Sequence, residues 1–262
     1  MTSPDSEGSA IPSEENGERS GPGWTLRSGR SREPISAARL FRRTVRIGLG
    51  LILLWVAAVF WLGLLYWVVP PVSTLMLGRW MTLQPMARDF VSLDEISPHL
   101  PLAVMTSEDS LFCEHHGVDW NALWQVVEAA DEDGPSRGAS TIPMQVAKNL
   151  FLWPNRSYVR KGLEIPVALY LDLIWSKRQM MEVYLNIAEW GEGVFGAEAA
   201  AQKYFRKPAQ SLSRREAALL AKALPNPLAR NPARPSGRHG ALAGQLVARM
   251  AGAAPYSACL KP

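Results

Sequence analysis

Cysteine is nearly absent from this chain of 262 residues, which holds only Cys113 and Cys259. Two thiols cannot staple a chain of this length, and they exclude a cysteine-rich metal cluster. Charge is also sparse, at 20% of residues, with 28 Lys and Arg set against 24 Asp and Glu for a formal net charge of +4. That balance lacks the dense basic surface of a nucleic-acid binder, so no nucleic-acid partner is expected. Strict polar and apolar alternation, the mark of a half-buried strand, is almost missing, and no internal repeat is found. Apolar residues are plentiful instead: 47% of the chain is hydrophobic, and ten residues are Trp.

Much of that apolar content is concentrated in one run, IGLGLILLWVAAVFWLGLLYWVV, from Ile47 to Val69, without a single charge. At about 1.5 Å of rise per residue such a helix crosses a hydrocarbon layer of about 30 Å. Pro70 and Pro71 are expected to stop it, with Trp61, Tyr66 and Trp67 at headgroup level. Arg39, Arg42, Arg43 and Arg46 crowd its N-terminal flank, and Arg30 and Arg32 lie further back, whereas Arg79 and Arg88 are the nearby cations beyond it. The positive-inside bias therefore predicts a cytoplasmic N-terminus and an exported remainder. The run is longer than a signal-peptide core and lacks a convincing cleavage site, so a retained signal anchor is expected.

The predicted organisation is a flexible cytoplasmic tail over 1–46, the anchor over 47–69, and a membrane-proximal linker over 70–94. One domain over 95–250 and a C-terminal tail over 251–262 follow. The tail composition, rich in Ser, Gly, Glu and Pro, cannot offset the entropy of ordering. In the exported part, helical spacing comes with start signals. Ser213 and Glu216 form a capping box before AALLAKAL, and Ser176 with Gln179 can do the same before KRQMMEVYLNI. Asp119 opens DWNALWQVVEAA, Ser140-Thr141 opens TIPMQVAKNLFLW, and YVRKGLEIPVALYLDLIW is expected to bend or break near Pro166. Six or seven helices predict a mostly α domain. The run DEDGPSRG between Ala130 and Ala139 has no apolar residue to pin it and is a candidate gate loop.

Three polar segments interrupt these helices. In AVMTSEDSLFCEHHGVDW, Glu108 and Asp109 follow an apolar lead-in, and a carboxylate beside apolar side chains can acquire the raised pKa that acid or base chemistry needs. By spacing alone the pair suits a helix cap equally well. His115 and His116 lack the helical-turn spacing of a metal site, so a structural histidine is the simpler reading. Cys113 is read first as a buried small hydrophobe, with pairing to Cys259 left open. In GASTIPMQVAKNLFLW, Thr141, Gln145 and Lys148 share one helical face. In NRSYVRKGLE, Arg160 and Lys161 lie at i,i+4 and i,i+3 from Glu164, as in any surface ion-pair ladder. Taken with the anchor, two separated carboxylates and a set of cations suit glycosyl transfer from a lipid-linked sugar pyrophosphate.

Five segments then carry a resemblance: EDSLFCEHHG (108–117), GASTIPMQVAKNL (138–150), RKGLE (160–164), KRQMMEVYLNIAEWGEGVFGAEAAAQKYF (177–205) and LSRREAALLAKALPNPLARNP (212–232). In this order they resemble family 51 peptidoglycan glycosyltransferases, most of all the monofunctional biosynthetic transglycosylases of Gram-negative bacteria. The resemblance implies a mostly α, lysozyme-like domain with a small membrane-proximal lobe, behind one transmembrane helix in the inner membrane. It implies polymerisation of lipid II onto a lipid-linked growing glycan, with inversion at the donor MurNAc anomeric carbon and loss of undecaprenyl pyrophosphate. It assigns Glu108 as general base and Glu164 as the second catalytic carboxylate, on the pyrophosphate side. Lys148, Arg156 and Lys161 match cations near the donor phosphates, while Asp109, Ser140, Gln145 and Asn186 match polar positions that organise the cleft. No cofactor is required, a divalent cation is allowed, and proteins of cell-wall synthesis or the divisome are the implied protein partners. Departures at Arg137, Pro143 and the acidic loop bear on loop behaviour. The competing readings are a membrane-anchored muramidase or lytic transglycosylase, and a non-catalytic scaffold of the same fold.

Overall fold

A computed structural model describes residues 37–129, 139–155 and 157–261. The expected flexible tail up to residue 36, the gate loop over 130–138 and Arg156 lie outside the described residues. The chain divides between Leu49 and Gly50 into two units. The described part of the first is helical and exposed, and carries Arg39, Arg42, Arg43 and Arg46. All that follows concerns the second unit, apart from the helix α1 (Ala37–Leu65), which begins in the first.

α1 is long and apolar enough to span a bilayer. It ends one turn before Val69, and Tyr66 to Val69 continue as tight turns closed by Val69 N–H donating to the Leu65 carbonyl at 3.1 Å. The last-turn carbonyls of a helix have no partner within it. Here the Gly63 carbonyl accepts from the Trp175 indole at 2.9 Å, and the Trp67 indole donates to the Ile174 carbonyl at 3.0 Å. Tyr170 donates to the Phe60 carbonyl at 2.7 Å, and Trp55 to that of Phe151 at 3.3 Å. The Trp67 N–H, expected among headgroups, is thus committed to the end of another helix. Gly63 permits the approach, since a Cβ there would stand 2.8 Å from the Tyr170 ring. Gly63→Leu is expected to lower the thermal stability of the detergent-solubilised protein by about 1–3 kcal/mol through overpacking. An unchanged melting temperature would contradict this close contact.

The rest is mostly helical, as the sequence predicted: α2 (Thr74–Met81), α3 (His99–Glu108), α4 (Trp120–Glu128), α5 (Ile142–Phe151), α6 (Tyr158–Ile174), α7 (Lys177–Ile187), α8 (Ala197–Phe205), α9 (Arg214–Ala223) and α10 (Gly237–Ala253). The caps read from sequence are present. Asp119, Thr141 and Ser176 each accept from a backbone N–H three residues on, and Ser213 and Glu216 close a complete capping box; Ser157, not read from the sequence, caps α6 in the same way. Of the bend or break expected near Pro166, the break does not occur, and α6 runs through Pro166 as one helix. A small sheet was not anticipated. β1 (Ala87–Arg88) pairs in parallel with β3 (Val194–Phe195), which pairs antiparallel with β2 (Glu189–Gly191).

α3 is the centre of the core. Leu100, Ala103, Val104 and Met105 are buried, α9 and α10 pack against it, and Ala217, Ala218 and Ala221 of α9 and Ala243 of α10 are buried as well. α5 packs between α6 and α7. The chain after 250, expected as a tail, is instead folded. α10 passes into a 3-10 helix, Ala254–Leu260, and Cys259 forms a disulfide with Cys113 with Cα atoms 5.6 Å apart. The default reading of Cys113 as an unpaired buried hydrophobe is therefore corrected. Closing a loop of 146 residues stabilises by about 5 kcal/mol in the chain-entropy account.

Candidate active site

Because α3 is apolar on all sides, its final residue, Glu108, is carried to the end of a buried helix rather than to an open surface. Burial pushes the Glu108 carboxyl above the ordinary carboxylate range. Opposing that push, in decreasing order, are a hydrogen bond from Ser107, the charge of Lys222, a hydrogen bond from Gln145 and the charge of Arg230. Its neighbour Asp109 has a different task. The backbone turns out of the helix there, and the buried Asp109 carboxylate accepts from the Ile142 N–H at 2.8 Å and contacts His115 Nε2 at 2.9 Å. Asp109 therefore ties the end of α3 to the start of α5, where the helix dipole favours a negative charge. Thr141 reinforces the joint by donating to the Gly117 carbonyl at 2.6 Å. Gly117 has φ +77°, and a Cβ would meet the Ala168 carbonyl oxygen at 3.0 Å, so glycine is required at that turn.

α5 presents Gln145 and Lys148 one turn apart on a single face. The Gln145 amide oxygen accepts from the Tyr184 hydroxyl at 3.0 Å, which leaves its N–H2 to donate to Glu108. Tyr184 is buried, and its phenol is pushed well above its usual pKa by desolvation, then by the charges of Glu108 and Asp109, so it stays a donor and fixes the amide orientation. Lys148 lies at the other side of that turn. Burial lowers its pKa, the charge of Glu164 opposes the change, and Arg160 and Lys161 add to it. No hydrogen bond or ion pair engages its ammonium among the described residues.

Glu164 is buried in α6 and has both oxygens occupied: Arg160 Nη1 donates to Oε1, and Lys161 Nζ reaches Oε2 at 2.8 Å. The i,i+4 and i,i+3 ladder read from the sequence is thus an interior cluster rather than a surface one. Lys161 also donates to Ser140, just ahead of α5, which joins α6 to that helix. Arg160 is held further by the Asn155 carbonyl at 2.8 Å.

Asn186 sits elsewhere in the network. Its amide exchanges hydrogen bonds with the backbone of Val91 at 3.1 and 2.9 Å and donates to the Glu182 carbonyl at 2.8 Å. It is buried and spent on backbone, tying α7 to the segment at Val91. His115 has the structural contact expected of one histidine, while the side chain of His116 is exposed. Among the described residues no group of three or more His, Cys, Asp or Glu side chains comes together. The divalent cation allowed by sequence finds no ready protein cage there.

Thus a largely desolvated carboxylate and a cluster of buried and half-buried cations lie on opposite sides of one helical turn. The profile of the family described as Transglycosylase matches residues 76–251. This chain belongs to the transglycosylase family. Among relatives, the biosynthetic peptidoglycan transglycosylase of Agrobacterium fabrum is 54% identical over 190 residues, covering 72% of this chain and 84% of the relative. That of Brucella suis biovar 1 is 52% identical over 193 residues, 74% of this chain and 86% of the relative. A more extended match, to the protein of the same name in Rhizobium leguminosarum bv. trifolii, is 48% identical over 222 residues, 85% and 94% of the two chains. Membership of the transglycosylase family makes the protein a glycosyltransferase enzyme and accounts for the mostly α, lysozyme-like domain.

Ser107, Tyr184, Lys222 and Arg230 around Glu108, and Arg160 beside Glu164, were not singled out as candidate site residues in the sequence. Lys222 left one signal, as the single polar residue in the run AALLAKAL. A lone cation in an otherwise apolar helix face has a partner or a function more often than not. Tyr184 left none, because a tyrosine at an apolar helix position reads as core.

Proposed function

We propose that this transglycosylase polymerises lipid II into β-1,4-linked glycan strands, with inversion at the donor MurNAc anomeric carbon and release of undecaprenyl pyrophosphate. The observation that carries the reading is the placement of Gln145 and Lys148 on one turn of α5, the first beside Glu108 and the second beside the Glu164 cluster. Proton abstraction and pyrophosphate departure have to occur within a few ångströms of one another, and this turn offers a base on one side and cations on the other.

In this reading Glu108 takes the proton of the acceptor GlcNAc 4-hydroxyl as that oxygen bonds to the donor anomeric carbon. The bond from that carbon to the pyrophosphate oxygen breaks, and the electron pair leaves with the phosphate. Lys148, Lys161 and Arg156 receive the charge. The single charge of Glu164 is shared between Arg160 and Lys161, whereas Lys148 has no ion pair among the described residues, so Lys148 is the cation left to gain most from a phosphate. Asp109, Ser140, Gln145 and Asn186 act by holding the helices that carry these groups. Residues 1–46 are assigned to the cytoplasm, 47–69 to the inner membrane and the domain to the periplasm, with the Cys113–Cys259 disulfide supporting an oxidising compartment.

Lys148→Ala is expected to lower kcat/KM for lipid II by roughly 10²-fold with an unchanged fold. Equal turnover and equal lipid II binding would remove Lys148 from the phosphate site. The raised pKa of Glu108 also suits the protonated acid of a muramidase or lytic transglycosylase, which would leave the cations without a task. Incubation in detergent with lipid II, and separately with preformed strands, decides between them. Glycan growth from lipid II is the expected product, and shortening of preformed strands without growth would establish cleavage.

A further inference from the structure

We propose that Lys222 is a positioning residue for the reaction, holding Glu108 ionised and oriented through the hydroxyl of Ser107. This rests on the reading of Glu108 as the base. Lys222 Nζ donates to Ser107 Oγ at 2.9 Å, and Ser107 Oγ donates to Glu108 Oε1 at 2.9 Å. An ammonium can only donate, an ionised carboxylate can only accept, and a hydroxyl does one of each. The direction of the chain is therefore fixed while Lys222 is charged and Glu108 is ionised. Protonation of Glu108 at Oε1 removes the acceptor that the Ser107 hydroxyl uses.

Both ends of the relay are held. Arg230 Nη1 donates to the Lys222 carbonyl at 2.6 Å, and Arg249 Nη2 donates to the Thr106 carbonyl at 2.9 Å, one residue before Ser107. On α9 the neighbours Ala218, Leu219, Ala221 and Ala223 are buried, which directs the lysine from a packed helix rather than a mobile surface. The groups that face Glu108 are Ser107 on its own segment, Gln145 from α5, Tyr184 from α7, Lys222 from α9 and Arg230 from the segment after α9, while the neighbouring Asp109 carboxylate is engaged by the Ile142 N–H and His115. Arg249 from α10 acts on Lys222. Among the two cations acting on Glu108, Lys222 has the larger effect and is the one joined to it by a hydroxyl.

The arrangement resolves a conflict in the chemistry. A base must be ionised at working pH, yet burial favours its protonated form. A direct ion pair would restore the charge while occupying the carboxylate, as happens at Glu164, where Arg160 and Lys161 take both oxygens. Interposing Ser107 supplies the charge while its hydroxyl occupies only Oε1.

The test is the pH profile of kcat/KM for lipid II, measured on the full-length protein in detergent. Lys222→Gln keeps a donor for Ser107 but removes the charge, and Lys222→Arg keeps the charge. The acidic limb is expected to move up by about one pH unit in the Gln variant, with activity recovering at higher pH, and to return to the parent position in the Arg variant. A limb that stays in place in a folded Gln variant overturns the proposal, as does an equal loss at every pH. Should Lys222→Gln fail to fold, Ser107→Ala breaks the relay with both charges present. An upward shift there supports the proposal, and none overturns it. Glu108→Gln is run alongside: parental activity in that variant would overturn the base reading itself, whereas an inactive Glu108→Gln with an unmoved Lys222→Gln limb rejects the relay alone.

Discussion

Glu108→Gln is expected to reduce glycan synthesis by on the order of 10³-fold while leaving the fold and lipid II binding in place. The substitution preserves size and one acceptor oxygen for Ser107, but its amide cannot take up the proton. Its effect on stability has a definite sign. Burial raises the folded-state pKa of Glu108 above its ordinary value, so between the two values the folded protein binds more protons than the unfolded chain. The carboxylate therefore costs stability as pH rises through that window, and the neutral amide does not. At neutral pH the Gln variant should melt at or above the parental temperature. An inactive variant that is also markedly less stable would point to a structural role for the carboxylate. In the parent, the same raised pKa places the acidic limb of activity above the ordinary carboxylate range.

Glu164→Ala is expected to fail in the opposite manner, losing activity and stability together. Glu164 is 2% exposed and Arg160 8% exposed, so removing the carboxylate leaves a buried guanidinium without its counter-charge. Breaking a buried pair from one side costs about 3–5 kcal/mol, a large share of the 5–15 kcal/mol that holds a typical domain. Lys161, relieved of Glu164, retains only Ser140 from the present network, so the geometry of the cations around Lys148 is lost as well. Chemical denaturation of the full-length protein in detergent, read beside lipid II turnover, checks both effects. A Glu164→Ala protein as stable as the parent would show that the cluster is less interdependent than its hydrogen bonds imply. The contrast between the two variants separates the two carboxylates: one carries chemistry at a cost to the fold, and the other serves both.

How much of this was legible in the sequence depended on whether a signal was local. N-caps are written within four residues, so Asp119, Thr141, Ser176 and Ser213 marked their helices correctly. α3 was not singled out because its apolar residues run consecutively from Leu100 to Met105 and leave no helical periodicity to detect, and α10 because Gly237, Gly240, Gly244 and Gly252 weaken its propensity. The strands of two or three residues are too short for alternation to register. At the site, the ladder of Arg160, Lys161 and Glu164 was visible, but its burial was not, since spacing says nothing about what packs over a helix. Lys222 lies 115 residues from Ser107, and only the folded chain brings them together. The pairing of Cys113 with Cys259 is of the same kind.

The reading of α5 as a shared platform makes base and cation cluster parts of one reaction. It implies that each glycosidic bond formed releases one undecaprenyl pyrophosphate. The most direct measurement is therefore to count both products in the same sample of purified protein and lipid II. Equal numbers, both abolished by Glu108→Gln, are the predicted result. Pyrophosphate released in excess of glycosidic bonds, or bonds still formed at the parental rate in the Glu108→Gln variant, would contradict it.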